Sequence, residues 1–341
     1  MRILFAGNPA IAVPVLEELF KLARYSPNFV LAAVLTKPDS PRGRGNVTLP
    51  TDVGAAAERL IAGSSGTGGP APQVLKLAKL DAAARALIAS LKPELLVSFA
   101  YGRIFGPMFL DLFTAGGINI HPSLLPKFRG PTPIPAAILA REAETGISVQ
   151  RLALEMDSGD ILMQERIALS GRETTASLSE VMAKKAAELL PLVLNGIESG
   201  TLRGAPQNHN EASHCSLISK EDGLIDWNKT AEEIDAQIRA YDPWPQSWTM
   251  HNDQQLFILK AEAVKTELSQ IQNTQSDAPC VPGLVLGIDK KRGILVQTRQ
   301  GVLAVTELQY SSKKILQWKD FLNGARNFIG SRLKLTEVKK V

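Results

Sequence analysis

Arg2-Ile3-Leu4-Phe5-Ala6-Gly7-Asn8-Pro9 opens the chain with an apolar run that stops at a turn, and the residues up to Thr36 complete a strand, helix, strand pattern. Asn8 is suited to cap a helix, and Pro9 can occupy the first turn, where a missing N–H is no loss. Ile11, Val15, Leu16 and Leu19 recur at helical spacing, and Val30–Thr36 (VLAAVLT) reads as a strand buried on both faces. The result is a βαβ unit. Working outward, Ala82–Leu91 predicts a helix, Glu94–Ala100 (ELLVSFA) a third buried strand and Gly117–Ile120 (GINI) a short fourth one. Strands that alternate with helices in this way predict an α/β fold with a Rossmann-like, doubly wound parallel sheet, whose ligands sit beyond the carboxyl ends of its strands.

The texture changes further along. Ser177 and Glu180 have capping-box spacing ahead of a helix that runs toward Gly196, so a first domain is expected over residues 1–196. Residues 197–212 are polar and carry Gly and Pro, as an exposed linker would. From 213 to 341, Trp248–Met250, Gln255–Val264, Gly283–Ile288, Gly293–Thr298 and Val302–Leu308 are short strand-like runs separated by turn residues. They predict a small OB-like β-barrel, with helices over Ala231–Ala240 and Lys314–Asn323 attached.

Composition narrows the function classes. The chain has 341 residues, 45% of them hydrophobic and 21% charged, so it can bury a sizeable core and is expected to fold throughout. No apolar run approaches the roughly 18 residues of a membrane span, and the first residues enter a strand without a leader; both point to the cytoplasm. Two cysteines and four histidines build neither a disulfide framework nor a multi-ligand metal site, so no metal is expected. Gly66-Thr67-Gly68-Gly69-Pro70-Ala71 matches G-x-G-x-x-A only formally, since it follows a helix and Pro70 would break the helix it should open. Gly63–Pro72 is therefore read as a surface insertion, and nicotinamide and P-loop chemistry are disfavoured. The formal charge of +4 is unevenly spread: residues 206–280 hold 5 Lys/Arg against 12 Asp/Glu, whereas residues 281–341 hold 12 against 4. A basic C-terminal portion suits a polyanionic partner, and equally a solvated surface.

The densest polar cluster is Asn119-Ile120-His121-Pro122-Ser123-Leu124-Leu125-Pro126, followed by Lys127-Phe128-Arg129-Gly130. Alternation puts Asn119 and His121 on one face of a strand end. An amide donor beside an imidazole suits a reaction in which an oxyanion develops while a proton moves, although hydrogen-bonded turn residues would look the same. Asp157, 36 residues after His121, stands in Asp157-Ser158-Gly159-Asp160-Ile161, where it can orient the histidine or merely make a turn.

Together, Asn119-x-His121, the Ser123–Pro126 box, Arg129-Gly130, Glu144-Thr145-Gly146 and Asp157-x-Gly159-Asp160-Ile161 resemble the folate-dependent formyltransferases. Ala6–Pro9, Pro38-Asp39 and Ala100–Gly102 extend the resemblance through the first domain. Ile225–Trp227, Arg239–Pro245 and Asp320–Gly324 extend it through the second, in the order of the branch whose acceptor is methionyl-initiator tRNA. Phe128 in place of Trp, Pro135 interrupting the helix expected after Gly130 and the Gly63–Pro72 insertion are departures, all peripheral to the motifs.

The resemblance implies transfer of the formyl group of 10-formyltetrahydrofolate, a cosubstrate, to the α-amino group of methionyl-initiator tRNA. It implies Asn119, His121 and Asp157 as the catalytic set. It implies a folate pocket formed by Tyr101, Gly102, Ile104, Ser123, Leu124, Leu125, Pro126, Ser158 and Gly159, read chiefly by backbone. For the tRNA it implies contacts from Arg42 and Arg44 on the Lys37–Pro50 loop, Arg44 acting as a wedge at the first base pair of the acceptor stem, and from Lys290, Lys291, Arg292, Lys313 and Lys314 in the barrel. Asn46 and Val47 stand where lysines are expected. The protein is expected to act as a monomer away from membranes. A formyltransferase for amino-sugar nucleotides shares the triad and a barrel-like second domain; a non-catalytic RNA-binding barrel would need none of the three catalytic residues.

Overall fold

The computed structural model describes residues 1–42, 47–63, 71–264 and 281–334. They form two compact units: Met1–Pro133, Glu144–Ala168 and Leu178–Ser216 make the first, while Ile134–Ala143, Leu169–Ser177 and the chain from Leu217 make the second. The elements in chain order up to the Asn119–His121 segment are β1 (Arg2–Gly7), α1 (Val13–Tyr25), β2 (Val30–Thr36), β3 (Ser40–Arg42), β4 (Val47–Leu49), α2 (Asp52–Gly63), β5 (Gln73–Lys76), α3 (Ala82–Ser90), β6 (Leu95–Phe99), α4 (Pro107–Leu110) and β7 (Gly117–His121). After it come α5 (Pro133–Leu139), β8 (Glu144–Arg151), β9 (Ile161–Ala168) and α6 (Thr175–Glu198).

The first unit carries a seven-stranded sheet in the order β5-β2-β1-β6-β7-β8-β9. The first five strands are parallel, as the uninterrupted apolar runs require, because a parallel sheet is covered on both faces. Alternation sends Leu4 and Ala6 into a cluster with Ile88, Phe105 and Phe109, and sends Ile3 and Phe5 to the opposite face, where they are also buried. The chain moves outward from β1 to β2 and then returns to β6 on the other side of β1, which makes a topological switch point there. The last two strands run antiparallel and were not anticipated. In β9 only Leu162 is fully buried and Gln164, Glu165 and Arg166 stand in its middle, so its apolar signal is weak.

Several local expectations are corrected. Asn8 does not cap the first helix: its side chain accepts from the Lys37 backbone N–H (2.8 Å) and the Thr36 hydroxyl (3.1 Å) and donates to the Tyr101 carbonyl, tying together the carboxyl ends of β1, β2 and β6. Pro135 does not interrupt α5; with Pro133 it lies in the first turn, where no intrahelical N–H is needed. The helix expected after Ser177 begins at Thr175, where Thr174 and Ser177 exchange hydrogen bonds. The Lys37–Pro50 loop is a two-stranded ribbon, with Ser40 opposite Leu49 and Arg42 opposite Val47; Arg44 and the rest of its tip lie outside the described residues, as does most of the Gly63–Pro72 insertion. The stretch 197–212, expected as an exposed linker, is exposed along most of its length; it clusters with the first unit, and Gln207 is its one buried residue.

In the second unit, α7 (Ala231–Ala240) starts with a complete capping box between Thr230 and Glu233. It is followed by β10 (Ser247–His251), β11 (Gln254–Val264), β12 (Val285–Asp289), β13 (Gly293–Gln297), β14 (Val302–Tyr310), β15 (Leu316–Gln317) and α8 (Trp318–Gly324). The helix expected over Lys314–Asn323 thus opens as a short strand. The sheet is antiparallel in the order β10-β11-β14-β13-β12, with β15 on β14. Arg332–Lys334 bridges its two edges, pairing Lys334 with Met250 and Arg332 with Leu284, so the sheet closes into a barrel. Trp227, Ile234, Ile258, Leu303, Val305 and Phe328 fill it. Truncating such a residue to alanine costs about 2–5 kcal/mol.

Candidate active site

The site grows from the carboxyl end of β7. Ser98 on β6 stands opposite Asn119 and Phe99 opposite Ile120, so the turn after Phe99 runs alongside His121. Across the antiparallel edge, Gln150 on β8 is opposite Asn119. The side chains of Asn119 and His121 emerge on one face, as alternation requires, and meet Asp157 from the loop between β8 and β9.

Asp157 sits with φ 54°, a left-handed conformation that aspartate tolerates better than most residues. Its Oδ2 accepts from the Gly130 N–H at 2.9 Å and lies 3.6 Å from His121 Nδ1. Its Oδ1 accepts from Gln150 Nε2 at 2.9 Å and, weakly, from Asn119 Nδ2 at 3.4 Å. Two glycines make this approach feasible. A Cβ on Gly159 would run into the Arg151 carbonyl oxygen, and one on Gly130, which has φ 114°, would run into that of Cys215. The Asp-x-Gly and Arg-Gly pairs of the sequence are therefore steric requirements of the loop packing.

His121 is buried, and its Nε2 lies 2.8 Å from the Phe128 carbonyl oxygen. A carbonyl only accepts, so the neutral ring holds its proton on Nε2 and leaves Nδ1 as the basic nitrogen facing Asp157. Burial pushes the imidazole below its ordinary value, and the pulls of the Asp157 carboxylate and the Phe128 carbonyl do not offset it. The ring is thus neutral at neutral pH, with a carboxylate placed to receive the cation that forms when Nδ1 takes a proton. The Asn119 side chain makes no hydrogen bond other than the long one to Asp157 among the described residues, which leaves amide N–H capacity for an outside acceptor.

The residues expected around a folate fall into two groups. Ser123 and Leu125 are buried and held by structure: Ser123 Oγ donates to Lys127 O (2.6 Å), Ser148 Oγ donates to Ser123 O (2.6 Å), and Gln164 Nε2 donates to Leu125 O (2.9 Å). This pins the Ser123–Pro126 box, with the partly buried Leu124 and Pro126, against β8 and β9. Tyr101 is also buried, stacks on Phe105 and has, among the described residues, no hydrogen-bond partner for its hydroxyl. Beyond it, Gly102 turns with φ 70° and Ile104 is 74% exposed. Ser158, partly buried, donates to Glu155 O (3.0 Å), and the neighbouring Leu154 and Met156 expose apolar side chains. Among the described residues, no group of three His, Cys, Asp or Glu side chains is placed to hold a metal ion.

In the second unit, Lys290, Lys291 and Arg292 form the β12–β13 turn, where Asp289 accepts from the Lys291 and Arg292 N–H groups at 2.7 and 3.0 Å. Lys313 and Lys314 lie in the β14–β15 turn, where Gln309 holds the Lys313 carbonyl at 2.7 Å. The antiparallel register puts both turns at the same end of the barrel. Sequence reasoning missed Gln150, Gln207 and the Phe128 carbonyl. Gln150 shares its strand with the buried Thr145 and Ser148, so its amide did not stand out, and Gln207 had no signal in its polar stretch.

A formyl transferase family model matches residues 1–194, and a formyl transferase C-terminal domain model matches residues 217–326. A methionyl-tRNA formyltransferase of Treponema denticola is 45% identical over 332 residues, covering 96% of this chain and 98% of that protein. One of Borrelia duttonii is 38% identical over 331 residues, covering 97% and 99%. Among solved structures, an N-formyltransferase of Helicobacter canadensis in complex with folinic acid and dTDP-3-aminofucose is similar in fold, with TM-score 0.62 and 21% identity over 89% of this chain and 97% of that one. Near-complete coverage at this identity, joined to matches on both units, shows that the chain belongs to the formyltransferase family, in the branch of the methionyl-tRNA formyltransferases.

Proposed function

We propose that the chain transfers the formyl group of 10-formyltetrahydrofolate to the α-amino group of methionyl-initiator tRNA, with Asn119, His121 and Asp157 as its catalytic residues. What supports the reading is the convergence of an amide donor, a neutral imidazole and a carboxylate at one strand end, in a chain 45% identical to a methionyl-tRNA formyltransferase. The formyl carrier supplies a carbonyl on a weakly basic nitrogen. The chain's residues fit a flat, hydrogen-bonding carrier: a buried Tyr101 hydroxyl without a partner among the described residues, a glycine turn at Gly102, and apolar Ile104 and Met156 at the surface.

Asn119 Nδ2 donates to the carbonyl oxygen as negative charge develops there, a role worth about 100- to 1000-fold in rate for one donor. His121 Nδ1 takes the proton that the attacking amine must lose, Asp157 Oδ2, 3.6 Å away, stabilises the resulting imidazolium, and that proton passes to the carrier nitrogen as its bond to the formyl carbon breaks. Asp157 is in turn held by Gly130, Gln150 and Asn119. The first unit is assigned as the catalytic domain. The barrel is assigned to tRNA binding through Lys290–Arg292 and Lys313–Lys314, with Arg42 and Arg44 contributing from the ribbon. The enzyme is assigned as a cytoplasmic monomer; no helix among the described residues is long and apolar enough to cross a membrane.

The test is formylation of methionyl-initiator tRNA by wild type and by Asn119→Ala, His121→Ala and Asp157→Ala, with a dTDP-amino sugar as the competing acceptor. Transfer to tRNA, lost in each variant while folate binding persists, is the expected outcome. Transfer to the sugar alone, or full single-turnover rate in His121→Ala, would overturn the assignment.

A further inference from the structure

Gln207, a residue of the stretch that follows α6, reaches the site through a chain of hydrogen bonds whose direction can be read. Arg129 is buried and carries only donors; its Nε and Nη2 both donate to Gln207 Oε1, at 3.1 and 2.7 Å. This fixes which end of the Gln207 amide is oxygen. Its Nε2 therefore faces the other way, where it donates to the backbone carbonyls of Asp157 (2.9 Å) and Gly159 (2.7 Å) and approaches Gln150 Oε1 at 3.2 Å. With Gln150 Oε1 facing a donor, the Gln150 amide is oriented as well, and its Nε2 donates to Asp157 Oδ1 at 2.9 Å. Each amide has one donor end and one acceptor end, so a donor-only guanidinium at the start polarises the series up to the carboxylate.

We infer that Gln207 is a positioning residue for Asp157: it clamps the backbone on both sides of Ser158 and sets the Gln150 amide that orients the carboxylate toward His121. This rests on the proposed role of Asp157. Gly130 and Gln150 hold the Asp157 carboxylate and Ser158 bonds back to the Glu155 carbonyl, while Gln207 supplies the side-chain bonds to the Asp157 and Gly159 carbonyls. Asp157 adopts a left-handed conformation, and Leu154, Glu155 and Met156 before it are exposed. Gln207 and its partners Arg129, Gln150 and Gly159 are buried in the same unit, so the clamp is desolvated and its loss leaves polar groups unpaired.

Gln207→Glu separates clamping from packing. A glutamate keeps the size of the side chain and pairs with Arg129 through charge, but it turns an acceptor toward the carbonyls of Asp157 and Gly159. If Gln207 served only to pack Arg129, this variant would behave as wild type or better. The expected result is a fall in kcat of about 100-fold with KM for tRNA and folate within about twofold, as for a misplaced catalytic group. Gln207→Leu and Gln150→Leu should each lower kcat, and the double variant should lose little more than the worse single one, because they act in series.

A second readout does not depend on turnover: the ¹⁵N resonances of the His121 ring in the full chain, assigned by comparison with His121→Gln. They should shift in Gln207→Glu and stay in place in the exposed neighbour variant Asn208→Ala. If wild type does not formylate tRNA but the His121 signals still shift, the functional reading fails and the clamp stands. Wild-type kcat with unmoved signals in a folded Gln207→Glu would overturn the clamp, as would fully additive losses in the double variant.

Discussion

Two buried histidines, one in each unit, show how little residue type and burial decide on their own. His121 ends β7 and His251 ends β10, both are largely hidden, and burial pushes both imidazoles below their ordinary value. Their partners differ. His121 has a carbonyl on Nε2 and a carboxylate beside Nδ1, so it can take a proton and find the resulting charge compensated. The Nδ1 of His251 meets the Tyr310 hydroxyl at 2.6 Å, the Phe328 ring stands edge-on at 4.8 Å, and Nε2 has no partner among the described residues. Protonating it would bury an uncompensated cation. The first environment is arranged for proton transfer; the second is a packing site that tolerates a polar ring.

The largest test of this contrast is catalytic. His121→Ala should lower formyl transfer by at least about 1000-fold, the scale on which a triad member matters, whereas His251→Gln should stay within twofold of wild type. Comparable losses in both would erase the distinction. A middle-sized test sharpens the division of labour between the units: replacing Lys290, Lys291 and Arg292 together by alanine should reduce the log–log salt slope of tRNA affinity by about 2, since each phosphate contact contributes roughly 0.7–0.9. A slope that does not move would take the β12–β13 turn out of the tRNA interface.

The smallest effect concerns stability against pH. A histidine held neutral in the fold binds fewer protons than the same residue in the unfolded chain, whose value is about 6.5. Stability is therefore lost as pH falls from about 6.5 toward the lowered folded value, by at most about 1.4 kcal/mol per pH unit per histidine. His251→Gln keeps a partner for Tyr310 and removes the titrating group, so urea midpoints should fall less steeply with acid than in wild type. An unchanged slope would mean that His251 is protonated without cost and that its unpartnered nitrogen finds water.

Much of the first unit was legible because its signals are local. The unbroken apolar runs of β1, β2 and β6 identify strands covered on both faces, and Asn119 and His121 share a face because strand alternation leaves no choice. The antiparallel edge was harder to read, since β9 mixes Glu165 and Arg166 into a half-exposed strand. Closure of the barrel by Arg332–Lys334 was illegible: it rests on a few residues whose only marker is the edge they happen to meet. Asn8 misled for a related reason, as an asparagine ahead of a helix is equally able to tie three strand ends together.

The sequence by itself determined the element types of the parallel strands and their helices, the doubly wound order and the three kinds of side chain proposed for the chemistry, because propensity, periodicity and steric demands such as that of Gly159 against Arg151 act between near neighbours in the chain. Only the tertiary structure decided which nitrogen of His121 faces Asp157, and that Gln207 joins the site. The first depends on which carbonyl and which carboxylate meet the two edges of one ring, and the second on hydrogen bonds between residues 50 to 78 positions apart, such as Gln207 to Asp157 and Arg129 to Gln207. A polar side chain carries the same donors and acceptors wherever it stands, and folding alone chooses which of them meet.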